Sequence, residues 1–424
     1  MSEPESPATE PQGLRAEAPT DAGPAIARQP IVDDAGAVFA YELFDRSRPA
    51  GAYDAASDAQ LLFNALSQVD NGTWFDHRTL FVNCAHDSLA GGHLDLVQPG
   101  RIVLEIPPVP GNGAEDIERR IGGLSDARKR GLRLAFNHTV LTAAYLPWLP
   151  LADFIKIDLQ LVRPELVEPM ARLAQKKTQA RLIVEKIETD AQYQQARALG
   201  VPLFQGYWFA QPAVVTGQNV RPAQAVIIRL INLVRQQAST AEIEEVLKHD
   251  ASLSYNLLRF INSAGFGLQT EITSFRHAVM MLGLKKLFRW AALLLTTSHA
   301  AGVSPAVGTT AIVRGRLMEL LALERQHPSE ECDDAFVTGV FSLLDTMLGM
   351  PMDKALGSIA LPESVVAALM LRRGPLAPLL ELCIACETGD DDAFARNADA
   401  LRLDNQQINW AHLQALAWAE SVGA

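Results

Sequence analysis

An α/β barrel followed by an all-α domain is the architecture this sequence predicts, and three features carry that expectation. From Ile26 to Gln211 short apolar runs alternate with polar amphipathic stretches, the pattern of a parallel sheet whose crossovers are helical. After Pro212 the strand-like runs stop and helical spacing continues to the end of the chain. The 424 residues, 48% of them hydrophobic, suffice for two domains of about 200 residues, each with its own core.

Residues 1–24 are rich in Pro, Glu, Ala and Thr and carry almost no large apolar side chains, so burial cannot offset the entropy of ordering them; they read as a disordered tail. The runs 38–44, 79–83, 102–105, 132–136, 154–157, 182–185 and 203–205 read as strands, with helices over 59–69, 115–129, 166–177 and 191–199 between them. Such alternation over 25–212 predicts a TIM-like βα barrel. A linker at 213–221 leads into a helical domain over 222–424, opened by Pro222, a favourable first-turn residue. There Thr240 caps a helix with Ile243, Val246 and Leu247 on one face, and Leu253, Leu257, Leu258 and Ile261 follow at the same spacing. Further helices are expected over 276–299, 306–325, 334–349, 363–372, 376–387 and 405–421.

A formal charge of −12 argues against a polyanion-binding surface, so no nucleic-acid partner is expected. Cys84, Cys332, Cys383 and Cys386 are too irregularly spaced for a disulfide framework, and the N-terminus lacks a basic start with an apolar core, which fits a cytoplasmic location. The densest apolar run, Ala291 to Leu295, is far shorter than the roughly 20 residues of a membrane span and reads as a core helix.

Polar groups fall where the strands end: Glu42, Asn83, Glu105, Lys156 with Asp158, Glu185 with Glu188, and Gln205. Any one of them alone is an ordinary loop residue. Six successive strand ends are a different matter, because buried carboxylates are costly unless they pair or bind a cation. Oxygen donors of this kind suit Mg²⁺ or Mn²⁺. The strand Leu132 to Phe136 departs from the set, ending in Asn137 and His138 at a position that faces the mouth of a βα barrel.

In order, Gln29-Pro-Ile-Val32, Tyr41-Glu-Leu-Phe-Asp-Arg46, Phe81-Val-Asn83, Leu104-Glu-Ile106, Phe154-Ile-Lys-Ile-Asp158, Val184-Glu-Lys-Ile-Glu-Thr189 and Gln205-Gly-Tyr207 resemble the motifs of the EAL family of cyclic di-GMP phosphodiesterases. The resemblance implies a barrel with an antiparallel first strand, a dinucleotide across the C-terminal mouth and two divalent ions activating a water for in-line attack on phosphorus. It makes Glu42, Asn83 and Glu105 resemble metal ligands, and Lys156 and Glu185 groups that position ion and water. Gln29, Arg46 and Gln205 fall where the family contacts the dinucleotide, and Glu188 where it has a loop-supporting acid. The motif that names the family is here Glu42-Leu43-Phe44.

Phe136-Asn-His-Thr-Val140 stands where the family has Leu-Asp-Asp-Phe-Gly, whose two aspartates bind metal. Asn137 offers at most a neutral oxygen, and His138 suits softer transition metals. Loss of even a supporting partner typically costs about 10–100-fold in affinity or activity. Loss of two anionic ligands costs more, so two-metal chemistry is expected to fail.

The second half has its own resemblance. His249-Asp-Ala-Ser-Leu-Ser-Tyr-Asn-Leu-Leu-Arg-Phe-Ile-Asn-Ser-Ala-Gly-Phe266 and Ile272-Thr-Ser-Phe-Arg-His-Ala-Val-Met-Met-Leu-Gly283 resemble the HDOD domain, similar in fold to HD phosphohydrolases but generally without their metal centre. Asp250 reads as a helix cap rather than half of a metal dyad with His249, and His277, His299 and His327 show no metal spacing. Asn262-Ser263-Ala264 reads as a helix end whose side chains satisfy free backbone groups, a partner surface being the functional alternative. Cys383 and Cys386, with no second ligand pair, read as core rather than zinc ligands.

The expectation is therefore a catalytically inactive EAL–HDOD signalling protein that acts through other signalling proteins, with no cofactor. A non-hydrolysing cyclic di-GMP receptor and a divergent phosphodiesterase using Mg²⁺ or Mn²⁺ are the alternatives. Because EAL-like barrels often pair, the resemblance also implies a homodimer.

Overall fold

The computed structural model describes residues 26–45, 79–90, 94, 99–208, 222–248, 257–258, 261–262, 272, 274–297 and 304–423. Arg46, His249, Asp250, Ser263, Ala264 and His299, the tail 1–24, the helix expected at 59–69, the linker at 213–221 and most of 252–261 lie outside the described residues.

Eight strands close a barrel in chain order: β1 (Ile26–Asp33), β2 (Val38–Asp45), β3 (Thr79–Asn83), β4 (Ile102–Ile106), β5 (Arg133–Asn137), β6 (Phe154–Asp158), β7 (Arg181–Ile187) and β8 (Leu203–Gly206). β1 runs antiparallel to both β2 and β8, and the remaining neighbours pair in parallel. The sequence pattern brought out seven of these strands. β1 was hidden because Pro30 interrupts its apolar run and has no N–H to give to a ladder, an argument against a central strand. Between strands run the helices α1 (Ala114–Lys129), α2 (Pro164–Lys177) and α3 (Asp190–Ala198), the last held by a capping box in which Thr189 and Gln192 bond each other's backbone.

Inside the barrel the alternation of each strand aims one residue per strand into a closed apolar layer: Ile31, Ala40, Phe81, Val103, Ala135, Phe154, Ile183 and Leu203. Phe81 and Phe154 meet edge to face across it, centroids 5.0 Å apart. This plug seals the barrel beneath the mouth.

β1 and β2 are joined by the four residues Asp34 to Ala37, too few for a crossover helix, so among the described residues the barrel half puts no helix on the outer face of this hairpin. Asp33 Oδ1 accepts from Ala35 N and Ala37 N and fixes the turn. The helical half supplies the cover. Its helices α4 (Pro222–Arg235), α5 (Thr240–Lys248), α6 (Phe275–Thr297), α7 (Pro305–Glu324), α8 (Ser329–Phe341), α9 (Leu344–Leu348), α10 (Met352–Gly357), α11 (Glu363–Leu371), α12 (Ala377–Thr388), α13 (Asp391–Leu401) and α14 (Asn405–Gly423) bury a shared core, and α7, α12 and α14 pack on β1 and β2. At the hairpin tip the Gly36 carbonyl accepts from Ser304 Oγ (2.6 Å) and Ala306 N (3.1 Å), so the cap of α7 is also a tie to the barrel.

Three helical expectations change. The helix expected over 334–349 is two, because at Ser342 the hydroxyl donates to the Gly339 carbonyl and accepts from Arg314, and the backbone turns before α9. α10 and α13 were missed, the first for its brevity and the second because Asp391-Asp-Ala-Phe-Ala-Arg-Asn-Ala-Asp-Ala-Leu401 offers few large apolar residues to mark a face. α6 also breaks direction at Gly283, where φ is 74° and ψ 165°. Asn262 clamps Ile272, donating to its carbonyl (2.7 Å) and accepting from its amide (2.8 Å), so its amide satisfies backbone groups ten residues on. Cys383 and Cys386 are buried in the core as expected, and Ala291 to Leu295 are buried inside α6. Among the described residues no helix is long and apolar enough to cross a membrane.

Candidate functional site at the barrel mouth

Two residues beyond the apolar plug, in the direction of the mouth, every strand carries a polar side chain: Gln29, Glu42, Asn83, Glu105, Asn137, Lys156, Glu185 and Gln205. One step of strand alternation thus separates a layer that is wholly apolar from one that is wholly polar. The structure gathers into this one layer the residues that the sequence singled out at strand ends, together with Gln29, but not Asp158 and Glu188, which lie beyond it.

Lys156 is its centre. The buried ammonium lies 2.9 Å from Glu42 Oε2, 2.9 Å from Glu105 Oε2 and 2.8 Å from Glu185 Oε2. Gln205 donates through Nε2 to Glu42 and to Gln29 Oε1 (3.0 Å), so both glutamines point into the polar layer, and Gln205 Oε1 is buried without a partner. β7 bulges at Glu185–Lys186, where Lys186 takes a left-handed φ of 61°; the register shift re-aims the strand beside Glu185.

Electrostatics follow from three carboxylates sharing one cation. Burial works to raise Glu42, but the Lys156 ammonium and the Gln205 amide outweigh it and hold the carboxyl below its ordinary range. Glu105 goes the other way, pushed up to about 8 by burial and by the charge on Glu42. Glu185 is also raised by burial, against the pull of Lys156. Burial opposes the charge on Lys156, yet the three carboxylates hold its ammonium well above the ordinary lysine range.

A pH dependence of stability follows. The folded Glu105 binds its proton up to about 8, whereas the unfolded residue releases it near 4.5, so the stabilisation is full below the lower value and is lost as pH rises through the higher one. The unfolding free energy from urea titrations should therefore fall between about pH 5 and pH 8, by roughly 1–3 kcal/mol. Glu105→Gln, a neutral isostere, should flatten that slope and raise the midpoint at the alkaline end. An unchanged slope in the variant would assign the proton elsewhere.

At the fourth parallel strand end the side chains turn back on the chain. Asn137 Oδ1 accepts from Thr139 N (3.1 Å) and from Thr139 Oγ1, capping the short 3-10 helix His138–Leu141. His138 Nδ1 is buried without a hydrogen-bond partner, and burial depresses the imidazole, partly offset by Asp158. Asp158 Oδ1 accepts from Gln160 N (2.7 Å) and Leu161 N (3.2 Å), organising the loop after β6, and Glu188 Oε1 accepts from Gln160 Nε2 (3.0 Å), tying the loop after β7 to it.

Gly206 holds β8 in place against β7. Its φ is +155°, and a Cβ there would sit 2.0 Å from the Ile187 carbonyl oxygen, which is backbone and cannot move aside. Gly206→Ala should destabilise the barrel by about 2 kcal/mol or more, read as a lowered urea midpoint.

Residues 222–341 match the HDOD domain family. The chain is 27% identical to the cyclic di-GMP phosphodiesterase CdgJ of Vibrio cholerae over 406 residues, 94% of this chain and 92% of the relative. It is 26% identical to the protein YuxH of Bacillus subtilis over 417 residues, 94% of this chain and 98% of that one. Among solved structures, the cyclic di-GMP-bound form of a standalone EAL protein from Vibrio cholerae is similar over 46% of this chain and 93% of its own, with 18% identity and a TM-score of 0.35. A closed eight-stranded βα barrel is thus followed by a helical half of which residues 222–341 match the HDOD domain family.

Proposed function

We propose that this is a catalytically inactive EAL–HDOD signalling protein of the cytoplasm, needing no cofactor, in which the barrel is a platform and the HDOD domain engages other signalling proteins. One observation carries the reading: the donors at the strand ends fit an ammonium rather than a pair of divalent ions. Lys156 lies within 2.9 Å of all three glutamates of the layer, and the Asn137 oxygen is engaged by Thr139. Two ions would add four positive charges beside that buried ammonium, with no aspartate at 137 or 138 to balance them. Four buried free cysteines support a reducing compartment.

Purified protein incubated with cyclic di-GMP and Mg²⁺ or Mn²⁺ is expected to leave the dinucleotide intact. Sustained hydrolysis would overturn the proposal.

A second reading, divergent hydrolysis or recognition without hydrolysis, is favoured by the likeness to a relative named as a cyclic di-GMP phosphodiesterase. Hydrolysis of this kind must be abolished by Glu42→Ala. Recognition alone must give calorimetric heat with cyclic di-GMP, weakened by Arg46→Ala.

A further inference from the structure

On β1 and β2 the residues next to the polar layer face outward, toward the HDOD half, Arg28 beside Gln29 and Tyr41 beside Glu42, and Tyr207, the residue after β8, lines the same space. Arg28 is 4% exposed, and its guanidinium lies over the Tyr41 ring at 5.3 Å. Its Nη1 is buried with no hydrogen-bond partner. The group lines a cavity of about 10 Å³ between the domains, together with Pro30, Tyr41, Tyr207, Thr310, Val313 and Glu387. That volume matches a single small occupant.

Glu387 would be the obvious counter-charge, but its oxygens are taken by another cation. Arg314 donates from Nε to Oε1 and Oε2 (3.0 Å each) and from Nη2 to Oε2 (2.6 Å), and Tyr207 donates its hydroxyl to Oε2 (2.7 Å). Tyr207 stays a neutral phenol, because burial and the Glu387 charge push its pKa well above the ordinary value. Asp345 also acts on Arg314 from a distance, but at the seam walled by Pro30 and Val313 the Glu387 carboxylate is shared between two guanidiniums, which leaves Arg28 under-compensated. A buried charge without a counter-charge is expensive, and water alone would satisfy the Nη1 donor without neutralising it.

We infer that this seam binds a small monovalent anion of chloride size, held by Arg28 Nη1 between the barrel and the HDOD domain. Thr310 lines the helical side of the same space, and a carboxylate or phosphate is too large for it. Binding there stabilises the docked pair of domains, since the site exists only when both walls are present.

The test uses the full chain. Crystals grown in sodium bromide should show an anomalous peak at hydrogen-bond distance from Arg28 Nη1. Thermal unfolding in sodium chloride should occur about 3 °C above that in equimolar sodium gluconate, an anion too bulky to enter. Arg28→Met should erase the difference between the two salts. Bromide-free density at that point together with equal unfolding temperatures would mean a water molecule only, and would overturn the inference. Should Arg28→Met fail to fold, the bromide map of the unaltered protein decides alone.

Discussion

Lys156→Met is expected to lower the unfolding free energy by about 3–5 kcal/mol at neutral pH, because it strands the buried Glu42 carboxylate and the carboxyl groups of Glu105 and Glu185 without their cation. Methionine keeps the volume and the flexible stem, so the loss reports charge rather than a cavity. With the ammonium gone, the pKa values of Glu42, Glu105 and Glu185 must all move upward, and a carboxyl with a raised folded value stabilises only while protonated. The deficit should therefore shrink as the pH falls toward 5 and grow toward 8, the sense already set by Glu105 at about 8. Urea midpoints across that range measure it. A deficit independent of pH would show that the lysine acts by packing alone.

Glu387→Gln is expected to cost a similar amount, about 3–5 kcal/mol, since Arg314 loses the carboxylate it is ion-paired with while Arg28 remains charged nearby. The damage spans both domains. Tyr207 bonds the same carboxylate from the barrel side, so the variant weakens the helical core and the docking together. Replacing Arg314 by Met and Glu387 by Leu in one chain should recover most of the loss, because a buried ion pair exchanged for apolar groups of similar size is often neutral or better. A double-mutant cycle on urea midpoints gives the coupling. Additive single effects would mean that the two side chains do not act as a pair.

Much of the barrel was legible because each strand obeys a two-residue period and ends in a polar group. Glu42, Asn83, Glu105, Lys156, Glu185 and Gln205 were found by that rule, and they do share one layer. Gln29 required the family resemblance, since Pro30 disguises its strand. The bulge at Lys186 and the return of the Asn137 oxygen to Thr139 were invisible, being properties of backbone angles and rotamers that residue type alone does not set. Nor does anything in the sequence announce that Arg314 and Glu387, 73 residues apart on two helices, would meet each other and then Tyr207. Long-range ion pairs have no local period to read. The splitting of 334–349 was missed for the same reason, since it depends on Arg314 reaching Ser342.

The four-residue link between the first two strands has a bearing on any attempt to study the halves apart. Because no helix follows β1, the outer wall formed by Arg28, Pro30 and Tyr41 is finished, among the described residues, by the cysteine-bearing helix Ala377–Thr388 and its neighbours. Cut free at the junction, the N-terminal portion would present that unfinished flank to water, inviting self-association through a surface that never meets solvent in the intact protein. A loss of behaviour on truncation would therefore speak of a missing wall before it spoke of a missing activity.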